Sequence, residues 1–136
     1  MIRYTVAYAT TLVVFLAIDA VWLTTMSQRL YRRYLADILV DDVNLTPAAL
    51  FYLIYIGGII VFATAPAFST GKWTTAAVYG ALYGFFAYAT YDLTNQATVR
   101  GWPTIITVAD ICWGSLLSAV SAVLGFLLTR YFLRGA

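Results

Sequence analysis

The stretch that decides the fold is YTVAYATTLVVFLAIDAVWLTT, residues 4–25. At 1.5 Å per residue it reaches about 33 Å, enough to cross a hydrocarbon core of about 30 Å. One charged group, Asp19, interrupts it, with Trp22 three residues on. A secretory leader has a shorter apolar core followed by a small-residue cleavage site. No such site follows cleanly here, so the run reads as a retained transmembrane helix, TM1.

The rest of the chain agrees. Its 136 residues are 62% hydrophobic and 10% charged, against about 25% charged residues in a soluble domain. Mean hydropathy is +0.83. These values predict an all-α integral membrane protein, and the length suits one bundle without a separate soluble domain. Strands of a closed barrel would alternate over about ten residues, a pattern absent here. A formal charge of +2 is too small for a nucleic-acid surface. With no histidine, His-ligated haem, histidine-box di-iron chemistry and His-based triads are excluded. Cys112 stands alone, which excludes an intrachain disulfide; mid-segment, it reads as a buried apolar thiol.

Three further spans are predicted, at about 47–65 (TM2), 73–95 (TM3) and 103–131 (TM4). Thr46-Pro47 is a start signal for TM2, while Pro66 and Ser69-Thr70-Gly71-Lys72 read as its end. Between TM1 and TM2, residues 27–42 place Leu30, Tyr31, Tyr34, Leu35, Ile38 and Leu39 at helical spacing, with arginines between them. This predicts a short amphipathic helix in the headgroup region. Ala76, Gly80 and Gly84 on TM3, and Gly114, Ser118 and Ala122 on TM4, form small-residue ridges. Such ridges let helices approach closely and predict intrachain packing ahead of dimerisation.

An even number of spans puts both termini on one side. That side carries Arg3, Lys72, Arg130 and Arg134; the other carries Arg29, Arg32, Arg33 and Arg100. The positive-inside rule is balanced. The amino-terminal charge tips the expectation towards cytoplasmic termini in a bacterial inner membrane, with dual insertion as the alternative.

Asp19, late in TM1, Asp92, late in TM3, and Asp110, early in TM4, converge on one membrane face by this topology, with Asp92 the shallowest. An ionisable group within a span costs about 2.5–3.5 kcal/mol on insertion scales, which makes each a functional-site candidate. Asp19-x-x-Trp22 and Asp110-x-x-Trp113 repeat a pattern that puts carboxylate and indole donor on one helix face. Tyr91, Thr94 and Asn95 flank Asp92, and Trp102 precedes TM4. The three aspartates are the candidate acid/base or proton-coupling groups. Trp22, Tyr91, Thr94, Asn95, Trp102 and Trp113 are the candidate substrate-binding residues. The bland alternative makes the acids interhelical glue, paired with aromatic donors or with Arg29, Arg32, Arg33 or Arg100. No cofactor motif or recognised metal motif is present, so neither a cofactor nor a metal is expected; a divalent ion on Asp and Asn oxygens is the weaker alternative.

The run Tyr91-Asp92-Leu93-Thr94-Asn95-x-Ala97-Thr98, then Trp102-Pro103, then Asp110-x-x-Trp113-Gly114, with Asp19-x-x-Trp22-Leu23, resembles the small bacterial membrane proteins of domain of unknown function 2177. The resemblance covers nearly the whole chain. It implies a four-helix inner-membrane protein and transfers no catalytic roles.

Three readings follow. The first is a protein that binds, or helps to modify, a lipid-like amphiphile whose head meets the acids and whose tail lies between helices. Its partners are membrane lipids, and whether it is an enzyme stays open. The second is a small proton-coupled transporter, dimerising through Gly80-x-x-x-Gly84. The third is a structural or regulatory subunit with the acids as glue.

Overall fold

The computed structural model describes residues 1–134. Among them every regular element is a helix and there is no strand. Helix α1 spans Ile2–Met26 and passes through a π-helical turn, Ser27–Tyr31, into α2, Arg32–Leu35. Helix α3 spans Leu45–Ile59 and passes through a second π turn, Ile60–Thr64, into α4, Ala65–Thr70. Helices α5, Trp73–Thr98, and α6, Thr104–Phe132, complete the chain. Three stretches are long and apolar enough to cross a membrane: Ile2–Leu35, Leu45–Thr70 and Thr104–Phe132. Large apolar side chains such as Val13, Ile54, Phe62, Phe86 and Leu116 face outward. Apolar surface on this scale suits a lipid surround and would be a liability in water.

The second span differs from expectation at both ends. Its N-cap is Asn44, whose side-chain oxygen accepts from the Thr46 N–H at 3.3 Å. Thr46 and Pro47 therefore lie inside the first turn, where a missing N–H costs nothing. Pro66 does not end the helix. Proline withholds an N–H from the carbonyl four residues back, and the π turn at Ile60–Thr64 precedes it; such turns change the hydrogen-bond register. The helix stops at Gly71, whose φ of +72° is the left-handed cap that glycine adopts without strain.

The segment expected as a separate amphipathic helix over 27–42 is instead a continuation of α1, and its helix ends at Leu35. Leu30 and Leu35 are buried against Ile106, with Trp22, Trp102 and Ala109 around them. Apolar contact with the start of α6 draws this segment onto the bundle.

Helices α5 and α6 run antiparallel and make the closest packing. A methyl group at Gly80 would lie 2.9 Å from the Ser118 carbonyl oxygen and 3.0 Å from the Ala122 Cβ. At Gly84 it would collide with the Gly114 carbonyl and Ser118. Both small-residue ridges are thus used within the chain, as expected. The main core gathers Phe15, Tyr55, Ile56, Ile59, Leu117 and Phe126 at the centre of the bundle. Cys112 is exposed on the outer face of α6, against the expectation of a buried thiol. Its neighbours in sequence explain this: Asp110, Gly114 and Leu117 take the inward stripe of the helix.

Candidate functional site

The α5–α6 seam advances four residues at a time. On α5 it runs Ala76, Gly80, Gly84, Tyr88, Asp92; on α6 it runs Ala122, Ser118, Gly114, Asp110. Residues four apart share a helix face, so the small-residue contact ends in a pair of carboxyl groups. Gly114 leaves the space that the Tyr88 ring fills. Asp92 lies six residues before Thr98, and Asp110 six residues after Thr104. Both are therefore roughly 9 Å inside their helix ends. Asp92 is no shallower than Asp110, because α5 extends three residues past the expected Asn95.

The two acids of the seam are partnered unequally. Asp92 is fully buried, and neither of its oxygens receives an N–H or O–H donor. Across the seam, its ionisable neighbour is the Asp110 carboxyl. Ionised carboxylates only accept, so a hydrogen bond between these two requires that one carry a proton. The other side of Asp110 is held by the Tyr31 hydroxyl, which donates to Oδ1 at 2.8 Å. The Trp22 indole N–H donates to that same Tyr31 oxygen at 3.0 Å. A chain of polar groups therefore runs Trp22, Tyr31, Asp110, Asp92 across three helical segments.

Asp19 stands apart. The Tyr52 hydroxyl donates to its Oδ2 at 2.7 Å, and the Trp113 indole to its Oδ1 at 3.4 Å. The expected pairing of each acid with the indole on its own helix is corrected here. Trp113, three residues after Asp110, serves Asp19; Trp22, three residues after Asp19, serves Asp110 through Tyr31. The two indoles stack at 4.2 Å between ring centres and 8° between planes. This stack lies between the helices; the Trp113 N–H reaches across to Asp19, while the Trp22 N–H stops at the Tyr31 hydroxyl, which in turn donates to Asp110.

No arginine completes the site. Among the described residues the ion pair formed is Arg32–Asp41 at 3.8 Å, in the loop. The counter-ions proposed for the acids are therefore not at the acids. No group of three or more acidic or cysteine side chains with metal-ligand placement occurs among the described residues.

The remaining predicted residues divide. Tyr91 is 58% exposed and meets the Trp102 ring edge-on at 6.0 Å. Asn95 lies beside the Tyr91 hydroxyl. Trp102 donates its indole N–H to Thr107 at 3.1 Å. These three form a rim next to Asp92. Thr94 is exposed, and its hydroxyl bonds back to the Thr90 and Tyr91 carbonyls of its own helix. It does not join the site, because α5 turns it outward. The three grooves described on the surface lie away from the acids.

Four tyrosines were missed: Tyr31, Tyr52, Tyr55 and Tyr88. Tyr55 and Ser118 share a buried hydrogen bond at 2.7 Å. The Tyr88 ring packs over Gly114 and meets the Tyr55 ring edge-on at 6.1 Å. For Tyr52 and Tyr55 the signal was present, since a phenol in the middle of an apolar span needs a hydrogen-bond partner.

A family model described as Predicted membrane protein (DUF2177) matches residues 4–127. No curated protein and no solved structure matches the chain.

Proposed function

The chain belongs to the family described as predicted membrane protein (DUF2177), and we propose that within it the Asp92–Asp110 pair is an intramembrane proton site serving the binding or modification of a lipid-like amphiphile. The observation that carries this reading is Asp92: fully buried, with two donorless oxygens facing another carboxyl. A carboxylate kept for packing would have donors, as Asp19 has. A permanently charged pair would have an arginine nearby. One protonated and one ionised carboxyl is the arrangement that gives or takes a proton. The head of an amphiphile would approach past Tyr91 and Trp102, the aromatic rim nearest the pair.

The reading includes α5 as a fourth span. It is less apolar than the other three stretches because of its tyrosines, threonines and glycines. Its 26 residues still reach about 39 Å, and no charged residue falls between Trp73 and Asp92. It also includes a bacterial inner membrane with both termini in the cytoplasm, which reporter fusions at Ala136 would test.

Infrared difference spectroscopy tests the proton site without knowledge of a substrate. A carboxylic C=O stretch should be present in the wild type and vanish in Asp92→Asn and Asp110→Asn. Persistence of that band in both variants would refute the site. Mass spectrometry of co-purifying lipids then tests the occupant: a discrete amphiphile enriched with the wild type and lost with Asp110→Asn supports the reading. Proton-coupled transport is the second reading, favoured by the absence of a cationic partner at the pair. It requires a dimer contact other than Gly80 and Gly84, since α6 fills that ridge.

A further inference from the structure

The end of the bundle away from the acids carries a different chemistry. A groove of about 730 Å³ opens between the start of α1, the end of α4 and the end of α6. Its floor is aromatic: the Phe68 and Phe126 rings lie 5.4 Å apart, and Tyr4 meets Phe68 edge-on at 6.0 Å. Its rim is cationic. The Arg3 guanidinium lies 4.7 Å over Phe68 and 5.3 Å over Tyr4. The Arg130 guanidinium lies 5.3 Å over Phe126 and donates to the Gly71 carbonyl at 3.2 Å. Arg134 lies 4.8 Å from the Tyr131 ring centre.

A guanidinium stacked on a ring keeps its edge N–H groups for an oxyanion, and its planar fork matches a phosphate. All six acidic side chains of the chain, Asp19, Asp37, Asp41, Asp42, Asp92 and Asp110, belong to the other end. Helix ends do not neutralise the rim. Two helix N-termini, of α1 and α5, and two C-termini, of α4 and α6, meet here. At about half a charge each, of opposite sign, they cancel. Arg3, Lys72, Arg130 and Arg134 remain as uncompensated side-chain charge. The groove also lies at the ends of the apolar stretches, the level at which a spanning helix meets the headgroups.

We infer that this groove binds an anionic phospholipid, with the phosphate held by Arg3, Arg130 and Arg134 and the adjoining apolar portion laid against Phe68 and Phe126. A free phosphate would use the rim and leave the aromatic floor uncovered, so the combination favours a lipid.

Native mass spectrometry of the detergent-solubilised full chain tests this, with phosphatidylglycerol and phosphatidylcholine of identical acyl chains as probes. Phosphatidylglycerol should bind the wild type several-fold more tightly. Arg3→Gln and Arg134→Gln should each weaken it by about fivefold, the equivalent of roughly 1 kcal/mol per cation near a membrane surface. Phosphatidylcholine binding should not change. Arg134 lies beyond the end of α6, so Arg134→Gln keeps the test valid if Arg3→Gln lowers folded yield. Equal binding of the two lipids, or an undiminished preference in the variants, would overturn the inference. Displacement of phosphatidylglycerol by inorganic phosphate would overturn the lipid as occupant and leave a phosphate site.

Discussion

Replacing Asp19 and Asp92 by asparagine should have unequal effects on folding, although both are buried acids at similar depth. Asp19 accepts from Tyr52 on one oxygen and from Trp113 on the other. Asparagine has one oxygen, so its NH2 must face one of these donors. One bond to a charged acceptor is lost, and the other loses its charge assistance. A hydrogen bond to a charged group is worth about 1.5–3 kcal/mol, so Asp19→Asn should cost about that amount. Asp92 has no donor to lose. The amide of Asp92→Asn has the shape of a protonated carboxyl and offers the Asp110 carboxyl a donor in its place. The expected change there is below about 1 kcal/mol. The assay is reversible unfolding in mixed micelles of rising dodecyl sulfate fraction, followed by circular dichroism on the wild type and both variants. A cost of about 2 kcal/mol multiplies the unfolded-to-folded ratio by roughly 30, well within resolution. Equal destabilisation of the two variants would refute the reasoning, because Asp92 would then hold bonds that its donorless oxygens do not make. A free Asp19→Asn substitution would refute the assignment of Tyr52 and Trp113 as its anchors.

Other outcomes follow from the same contacts. Gly84→Ala should destabilise by about 1–3 kcal/mol, since the new methyl collides with Gly114 and Ser118; Gly57→Ala, with nothing within 4 Å of the new methyl, serves as the control in the same unfolding assay. Tyr31→Phe removes the donor to Asp110 and should cost about 1–3 kcal/mol. It should also shift the carboxyl infrared band of the pair, whereas Tyr52→Phe, next to Asp19, should cost stability and leave that band in place. A spin label on exposed Cys112 should be relaxed by oxygen dissolved in the bilayer more than by a water-soluble nickel chelate. The reverse order would refute a lipid-facing position.

The apolar runs and the paired ridges of small residues were legible because each is set by local composition and helical spacing. That the three acids stand towards one end of the bundle was legible for the same reason, since alternating helix direction fixes which ends meet; that Asp92 and Asp110 face each other while Asp19 stands apart was not. Partner choice was not. Trp22 and Trp113 each lie one turn from an acid on their own helix, and spacing alone assigns them there. The stack between the two indoles reverses the assignment, and a stack between helices has no trace in either helix taken alone. Pro66 misled because proline breaks most helices, and the π turn that precedes it here left no marker recognisable beforehand. Asp92 was placed too near the surface because Gln96-Ala97-Thr98 reads as polar linker, while α5 continues through it. Four more residues along the ridge of Gly80 and Gly84 lies Tyr88, and four beyond that Asp92, so the seam itself pointed to the carboxyl pair.

Asp92 does little for the fold, and that sets it apart from the other two acids. An acid within a membrane span costs about 2.5–3.5 kcal/mol to insert, a cost that falls on Asp92 too where α5 is the proposed fourth span. Asp19 recovers part of that cost through two donors. Asp110 recovers less, through Tyr31 alone. Asp92 recovers nothing from the rest of the protein and adds the problem of a second carboxyl beside the first. Asparagine at this position would fill the same space, donate to Asp110 and insert without a charge. Folding therefore favours asparagine, and the chain carries aspartate. Only the ability to gain and lose a proton separates the two side chains at equal shape. If that difference is used, Asp92→Asn is a well-folded protein without its activity; if it is not, Asp92→Asn folds at least as well as the wild type and keeps its activity.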